Sequence, residues 1–142
     1  MHVERVTAVG DELVAAIARL VPQLSASRTP PSLAELQAIA AEENTHLLVA
    51  RADNEVLGML TLVMYRVPTG LRGWIHDVVV DENARGQGVA GALSVEALRV
   101  ATEAGALTVH LTTRPARGAA NRLYRRLGFE QYETNVYVWR PG

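Results

Sequence analysis

The chain contains no cysteine, which excludes disulfides, thiolate metal sites and a cysteine nucleophile. It also contains no lysine: all fourteen basic residues are arginine. A P-loop lysine, a Schiff base and a lysine general base are therefore excluded. Long hydrophobic runs are missing too. The longest apolar stretch, Val56 to Tyr65, is interrupted by Gly58 and Thr61 and falls short of the ~18 to 20 residues that a membrane span requires. The opening MHVERVTAVG carries acidic and basic residues where a signal peptide needs an apolar segment. These absences predict a soluble, cytoplasmic chain with no membrane partner, in which any group transfer uses other residues or passes directly between substrates.

What is present is enough for one core. With 142 residues, 49% of them hydrophobic, residues 1–142 are expected to form a single domain, being too few for two comfortable ones. Charge is unevenly placed: residues 1–65 carry eight acids against four arginines, and residues 66–142 seven acids against ten arginines. The second part is where an anion would be held. A net charge of −1 and four tyrosines argue against extensive nucleic-acid binding. His2, His46, His76 and His110 show no metal-ligand spacing, so no metal is expected.

Periodicity predicts the element order. VERVTAV alternates as a first strand, and Asp11 is placed to cap a helix through Leu13, Ile17, Leu20 and Leu24. Pro30 and Pro31 make the following segment a loop. Ser32, with Glu35 at the capping-box position, opens a second helix. HLLVARADNEVLGMLTLVMYRV reads as two strands joined at Asp53-Asn54, and Trp74 to Val80 as a third antiparallel neighbour. Gly88 to Ala104 is an amphipathic helix with Val89, Leu93, Ala97, Val100 and Ala104 on one face. LTVHLTT is a strand, parallel to residues 74–80; Arg117 to Leu127 is a helix; FEQYE and VYVWR are two last strands.

Between the third antiparallel strand and the amphipathic helix lies DENARGQGVAG, residues 81–91, whose Gly86, Gly88 and Gly91 fit the dinucleotide spacing G-x-G-x-x-G. The context opposes a nicotinamide or flavin site. Five residues separate Val80 from Gly86, the next strand ends LTTRP with no carboxylate for a ribose, and too little chain remains for a second mononucleotide half. Anion binding survives this objection. Small residues let the backbone approach a ligand, the first turn of a helix offers free N–H groups, and Arg85 adds positive charge.

VVVDENARGQGVAG resembles the acyl-CoA-binding segment of the GNAT superfamily of N-acetyltransferases, whose signature [RQ]-x-x-G-x-[GA] is met by Arg85, Gly88 and Ala90. About 30 residues on, AANRLYRRLGFE resembles the family's A-x-x-L-Y-x-x-x-G-F. The resemblance implies an α+β, three-layer α/β/α fold: a mixed, mostly antiparallel sheet of six to seven strands, a central splayed parallel pair and about four helices. It implies acetyl-CoA as co-substrate. Pantetheine would lie along Val78, Val79 and Val80, and the pyrophosphate on Arg85, Gly86, Gln87, Gly88, Val89, Ala90 and Gly91.

By the same resemblance Asn121 contacts the cofactor and Tyr124 gives a proton to the departing thiolate. Arg117, Asn121 and Tyr124 share one helix face. His76 and Asp77 stand where many relatives have Glu-Asp, and strand alternation sends their side chains to opposite faces. His76 is the candidate base, directly or through water, or a polar residue facing solvent; Asp77 is catalytic, structural or a contact for the substrate amine. Two departures from the family are visible: Thr112 stands where some members have a Glu base, and Arg117 where some have Asn. The implied partner is an amine acceptor, either a small molecule or a peptide, bounded by Ser25 to Ser32, the second helix and Glu133 to Asn135. A homodimer is left open. The rival reading is a non-catalytic acyl-CoA-binding sensor or scaffold.

Overall fold

Alternating β-branched and polar residues, punctuated by residues that tolerate left-handed turns, build a meander. A computed structural model describes residues 1–142. Strand β1 (His2–Arg5) is followed by helices α1 (Asp11–Leu24) and α2 (Leu33–Ala41), then strands β2 (Thr45–Ala52), β3 (Glu55–Val67) and β4 (Gly70–Val80). A 3₁₀ turn (Glu82–Ala84) leads to helix α3 (Val89–Ala104), strand β5 (Thr108–His110) and helix α4 (Gly118–Arg126). The sheet runs β1-β2-β3-β4-β5, antiparallel except for the parallel β4–β5 pair. The α+β class and its mixed sheet are as expected. Residues 1–112 and 113–142 form two compact units.

Local chemistry explains most boundaries. Asp53 and Asn54 take φ of 49° and 68°, the left-handed pair that a two-residue hairpin requires. Ser32 Oγ accepts from the Glu35 N–H, and the Glu35 carboxylate accepts from the Ser32 N–H, which closes the predicted capping box. At α1 the cap is Gly10, without a side-chain bond, and Asp11 is the first helical residue. The first strand stops at Arg5, four residues sooner than its alternation suggests, although the Val6 N–H still bonds Leu47 O.

Within the first unit, helices cover both faces of the sheet. Val79 and Met59 join Leu13, Ile17, Leu20, Leu36, Leu47 and Val49 in one buried cluster, so their face lies toward α1 and α2. Gly58 looks the other way: a Cβ there would stand 2.8 Å from Val79 O and 3.0 Å from Val89 Cγ1 of α3. Only glycine allows that approach. Val89, Leu93, Ala97 and Ala101 form the buried stripe of α3, each Leu-sized burial contributing roughly 1.5–3 kcal/mol. The stripe follows the i, i+4 row to Ala101, whereas Val100 is only half-buried and Ala104 exposed.

Alternation from Met59 places Thr61, Val63 and Tyr65 on the α1 face. Pairing sets His76, Trp74 and Arg72 beside them, and Thr108 and His110 next to those. None of these residues is fully buried. This part of the sheet is only partly covered, with His76 and Thr108 exposed.

Two strand expectations fail. LTVHLTT is a strand only over Thr108–His110, pairing at Arg72, Gly73 and Trp74 and no further. The expected splay of the parallel pair is this early end of pairing. Residues 129–142, holding FEQYE and VYVWR, form no strand; alternation makes a strand only where another edge supplies hydrogen bonds, and no pairing includes them. The sheet therefore has five strands rather than six or seven. Tyr137 and Trp139 stand 88% and 83% exposed. In the second unit, the Tyr124 ring packs edge-on against Phe129 at 5.6 Å, and the Phe129 N–H bonds Tyr124 O.

Candidate functional site

The turn after β4 is held from below. Asp81, 7% exposed, accepts from the Asn83 N–H at 3.1 Å and from Arg19 Nε at 2.9 Å. Arg19 also donates to Val56 O at 2.8 Å, and Gln23 Oε1 accepts from the Glu82 N–H at 2.8 Å. One face of α1 thus pins the 3₁₀ turn that delivers the chain to Arg85. Beside this clamp is a hollow of about 240 Å³, bordered by Arg19, Val56, Asp81, Asn83 and Gln87.

The Asn83 N–H, then the Arg19 guanidinium, hold the Asp81 carboxyl below its ordinary pKa. Its stabilising contribution is therefore complete above the usual carboxylate value of about 3.9 and is lost as pH falls through the lower folded value. Asp81→Ala is expected to lower unfolding stability by roughly 1–3 kcal/mol, discounted for the half-exposed Arg19. Urea titrations at pH 7 and pH 3 should show the difference shrinking in acid.

Beyond the clamp the backbone opens. Gly86 and Gly88 adopt φ of 79° and 80°, a region that side chains enter at a cost. Gly88 is the N-cap of α3, whose first helical bond runs from the Ala92 N–H to Gly88 O. The N–H groups from Gly88 to Gly91 have no acceptor in the protein. Arg85, Gly86, Gln87 and Gly88 are exposed, Ala90 and Gly91 half-buried, and Val89 is an anchor in the core. Free donors at the positive end of a sixteen-residue helix, with an arginine beside them, can receive an anion.

The edge of β4 leads straight into this cradle. Thr61 pairs with His76 and Met59 with Val79, so Leu60 alone opposes Asp77 and Val78. This is a β-bulge, with Asp77 in the left-handed region at φ 52°. The extra residue interrupts the regular alternation on which the opposite-face expectation rested, and His76 and Asp77 are both exposed. Pairing with β5 stops before the bulge, and from Ile75 to Val80 that edge of β4 pairs with no strand. Val78 and Val80 are half-buried and Val79 buried.

The second unit holds the other motif. Tyr124 is the buried residue of α4, and burial raises its phenol above the ordinary value, opposed by the nearby Arg117 charge. Asn121 Nδ2 donates to Arg114 O at 3.0 Å and to Arg117 O at 2.8 Å. Its amide donors thus tie the preceding loop to the helix, leaving the side-chain oxygen for anything else.

Val78, Val79, Val80 and residues 85–91 form one continuous feature of the first unit, with His76 and Asp77 at its start; Asn121 and Tyr124 belong to α4. Sequence reasoning missed the clamp of Arg19, Gln23 and Asp81. The available signal was an aspartate directly before the glycine turn, a natural cap for it; its distant arginine left no local trace. No cluster of three or more His, Asp or Glu is gathered to hold a metal, and no helix is long and apolar enough to cross a membrane.

Comparisons with known proteins agree with this architecture. Among solved structures, a transcriptional regulator from Bacillus halodurans C-125 is 29% identical with a TM-score of 0.77, covering 98% of this chain and 100% of that one. An aminoglycoside acetyltransferase from an uncultured soil metagenomic sample is 23% identical with a TM-score of 0.83, covering 98% and 94%. A ribosomal-protein-alanine N-acetyltransferase from Brucella melitensis biovar Abortus 2308 is 20% identical with a TM-score of 0.76, covering 99% of each chain. No curated protein matches. The model of the acetyltransferase (GNAT) family matches residues 12–129, a span that includes both the glycine turn and the tyrosine helix, and the chain belongs to that family.

Proposed function

We propose that residues 1–142 act as one acetyl-CoA-dependent N-acetyltransferase domain, moving an acetyl group directly to a primary amine. The observation that carries the reading is the unpaired edge of β4 running into the free N–H groups of Gly88 to Gly91. An extended ligand with amide groups at one end and phosphates at the other is complementary to that sequence of features. Acetyl-CoA, when bound, supplies the thioester carbonyl and the thiol leaving group.

The protein's own residues do the rest. The first turn of α3 and Arg85 hold the pyrophosphate, and the β4 edge orients the acyl end and excludes water from one side. His76 takes the proton lost by the attacking amine, directly or through water. The new N–C bond forms as the C–S bond breaks, and N–H groups near Val78 to Val80 stabilise charge developing on the carbonyl oxygen. Tyr124 gives its proton to the departing sulfur. Without cysteine, transfer through a thioester on the enzyme is excluded, which favours a direct path.

The test is release of free CoA thiol from acetyl-CoA across a panel of amines, paired with calorimetry of acetyl-CoA alone. Turnover with His76→Ala reduced by about a hundred-fold or more in kcat/KM is expected for loss of a general base. Binding without turnover of any amine would favour a sensor or scaffold instead. Failure to bind acetyl-CoA would end both readings.

A further inference from the structure

On the α1 face of the sheet, β4 presents Arg72, Trp74 and His76 in succession. Trp74 is ringed by imidazoles: its centroid lies 6.2 Å from that of His76 and 5.3 Å from that of His110, with planes 26° and 13° apart. Arg72 donates to Thr108 Oγ1 at 3.0 Å and to Thr69 Oγ1 at 3.1 Å. Both partners are neutral. Arg19, Arg51 and Arg99 each pair with a carboxylate, while Arg72 pairs with none. The only carboxylates in β3, β4 and β5 are Glu55, at the start of β3, and Asp77 in the bulge.

We propose that this face selects acceptors that are built in three parts, with the amine at His76, a flat or apolar middle over Trp74 and an anionic end at Arg72. The proposal rests on the acetyltransferase reading and narrows its substrate class. The guanidinium is held in place by hydroxyls that leave its charge uncompensated, which is the electrostatic complement of a carboxylate or phosphate. His76 and Arg72 are four residues apart on one strand, about 13 Å between Cα atoms at ~3.3 Å per residue. The anion therefore lies several bonds from the reacting nitrogen, across an apolar spacer the width of the indole. Polycationic amines meet an arginine without a carboxylate partner on this surface and are disfavoured by it.

A matched series tests the idea: 4-(aminomethyl)benzoate, the corresponding benzamide and 4-(aminomethyl)benzylamine share the benzylic amine as acceptor, present twice in the diamine, and differ in end charge. Thiol release should rank the benzoate first and the diamine last in kcat/KM. In Arg72→Gln the benzoate should lose roughly ten- to hundred-fold, mainly through KM, while the benzamide barely changes. Arg72→Lys should restore part of the preference. Calorimetric affinity for acetyl-CoA should be unchanged in both variants, which reports that they fold. Equal losses for all three amines in Arg72→Gln, or a wild-type preference for the diamine, would overturn the anionic specificity while leaving acetyl transfer intact. No binding of acetyl-CoA and no turnover of any amine by the wild type would instead overturn the acetyltransferase reading, and this inference with it.

Discussion

Tyr124→Phe is expected to lower kcat by at least about a hundred-fold, the usual worth of a positioned proton donor, with little change in the affinity for acetyl-CoA. The substitution removes one oxygen from a ring that packs edge-on to Phe129, so the apolar contacts survive. pH separates the donor role from a packing role. Burial raises the phenol above its ordinary value of about 10, so Tyr124 keeps its proton to higher pH than an exposed tyrosine does. Wild-type kcat should therefore hold through ordinary alkaline pH and fall only above it. The phenylalanine variant should run at a low plateau and lack that fall. Steady-state kcat measured from pH 7 to 11 checks this; full kcat in the variant across that range would remove Tyr124 from the chemistry.

The second large effect is expected at Gly88. Its φ of 80° and ψ of 16° lie in the left-handed region, which asparagine and aspartate enter more readily than other residues. Gly88→Asn and Gly88→Asp thus impose similar backbone strain and differ in one charge. Two charges about 4 Å apart interact by roughly 1–4 kcal/mol between bulk water and a protein surface. Aspartate at the N-cap should therefore weaken acetyl-CoA binding by roughly five-fold to a thousand-fold relative to asparagine. Helix stability should not follow the same order, because a carboxylate at an N-cap favours the helix. Calorimetry and thermal melting of the two variants would then move in opposite directions. If both variants bound acetyl-CoA equally well, the cradle would not be the phosphate site.

Much of this was legible in the chain itself because the signals are local. Asp53-Asn54 dictates a hairpin by conformational preference, Ser32 and Glu35 close a capping box three residues apart, and Val89, Leu93 and Ala97 mark one stripe of α3 by spacing. The glycine turn could be reassigned from a dinucleotide to an acyl-CoA pattern by its distance from the strand and by the tyrosine motif downstream. Other features were read too generously. Alternation in FEQYE and VYVWR is necessary for strands, yet residues 129–142 form none, since a strand also needs a second edge that no local pattern supplies.

The sequence by itself determined the helices, the hairpin, the glycines with left-handed backbone and the family to which the chain belongs, because each depends on residues a few positions apart. Only the tertiary structure decided where β4 bulges and interrupts its alternation, that Arg19 and Gln23 of α1 hold the turn at Asp81 and Glu82, and that Arg72 has no carboxylate partner. These rest on contacts between residues far apart in the chain. The physical reason is the range of the forces: dihedral preferences and capping act within a turn, whereas strand register and the pairing of charges are settled only when separate elements meet.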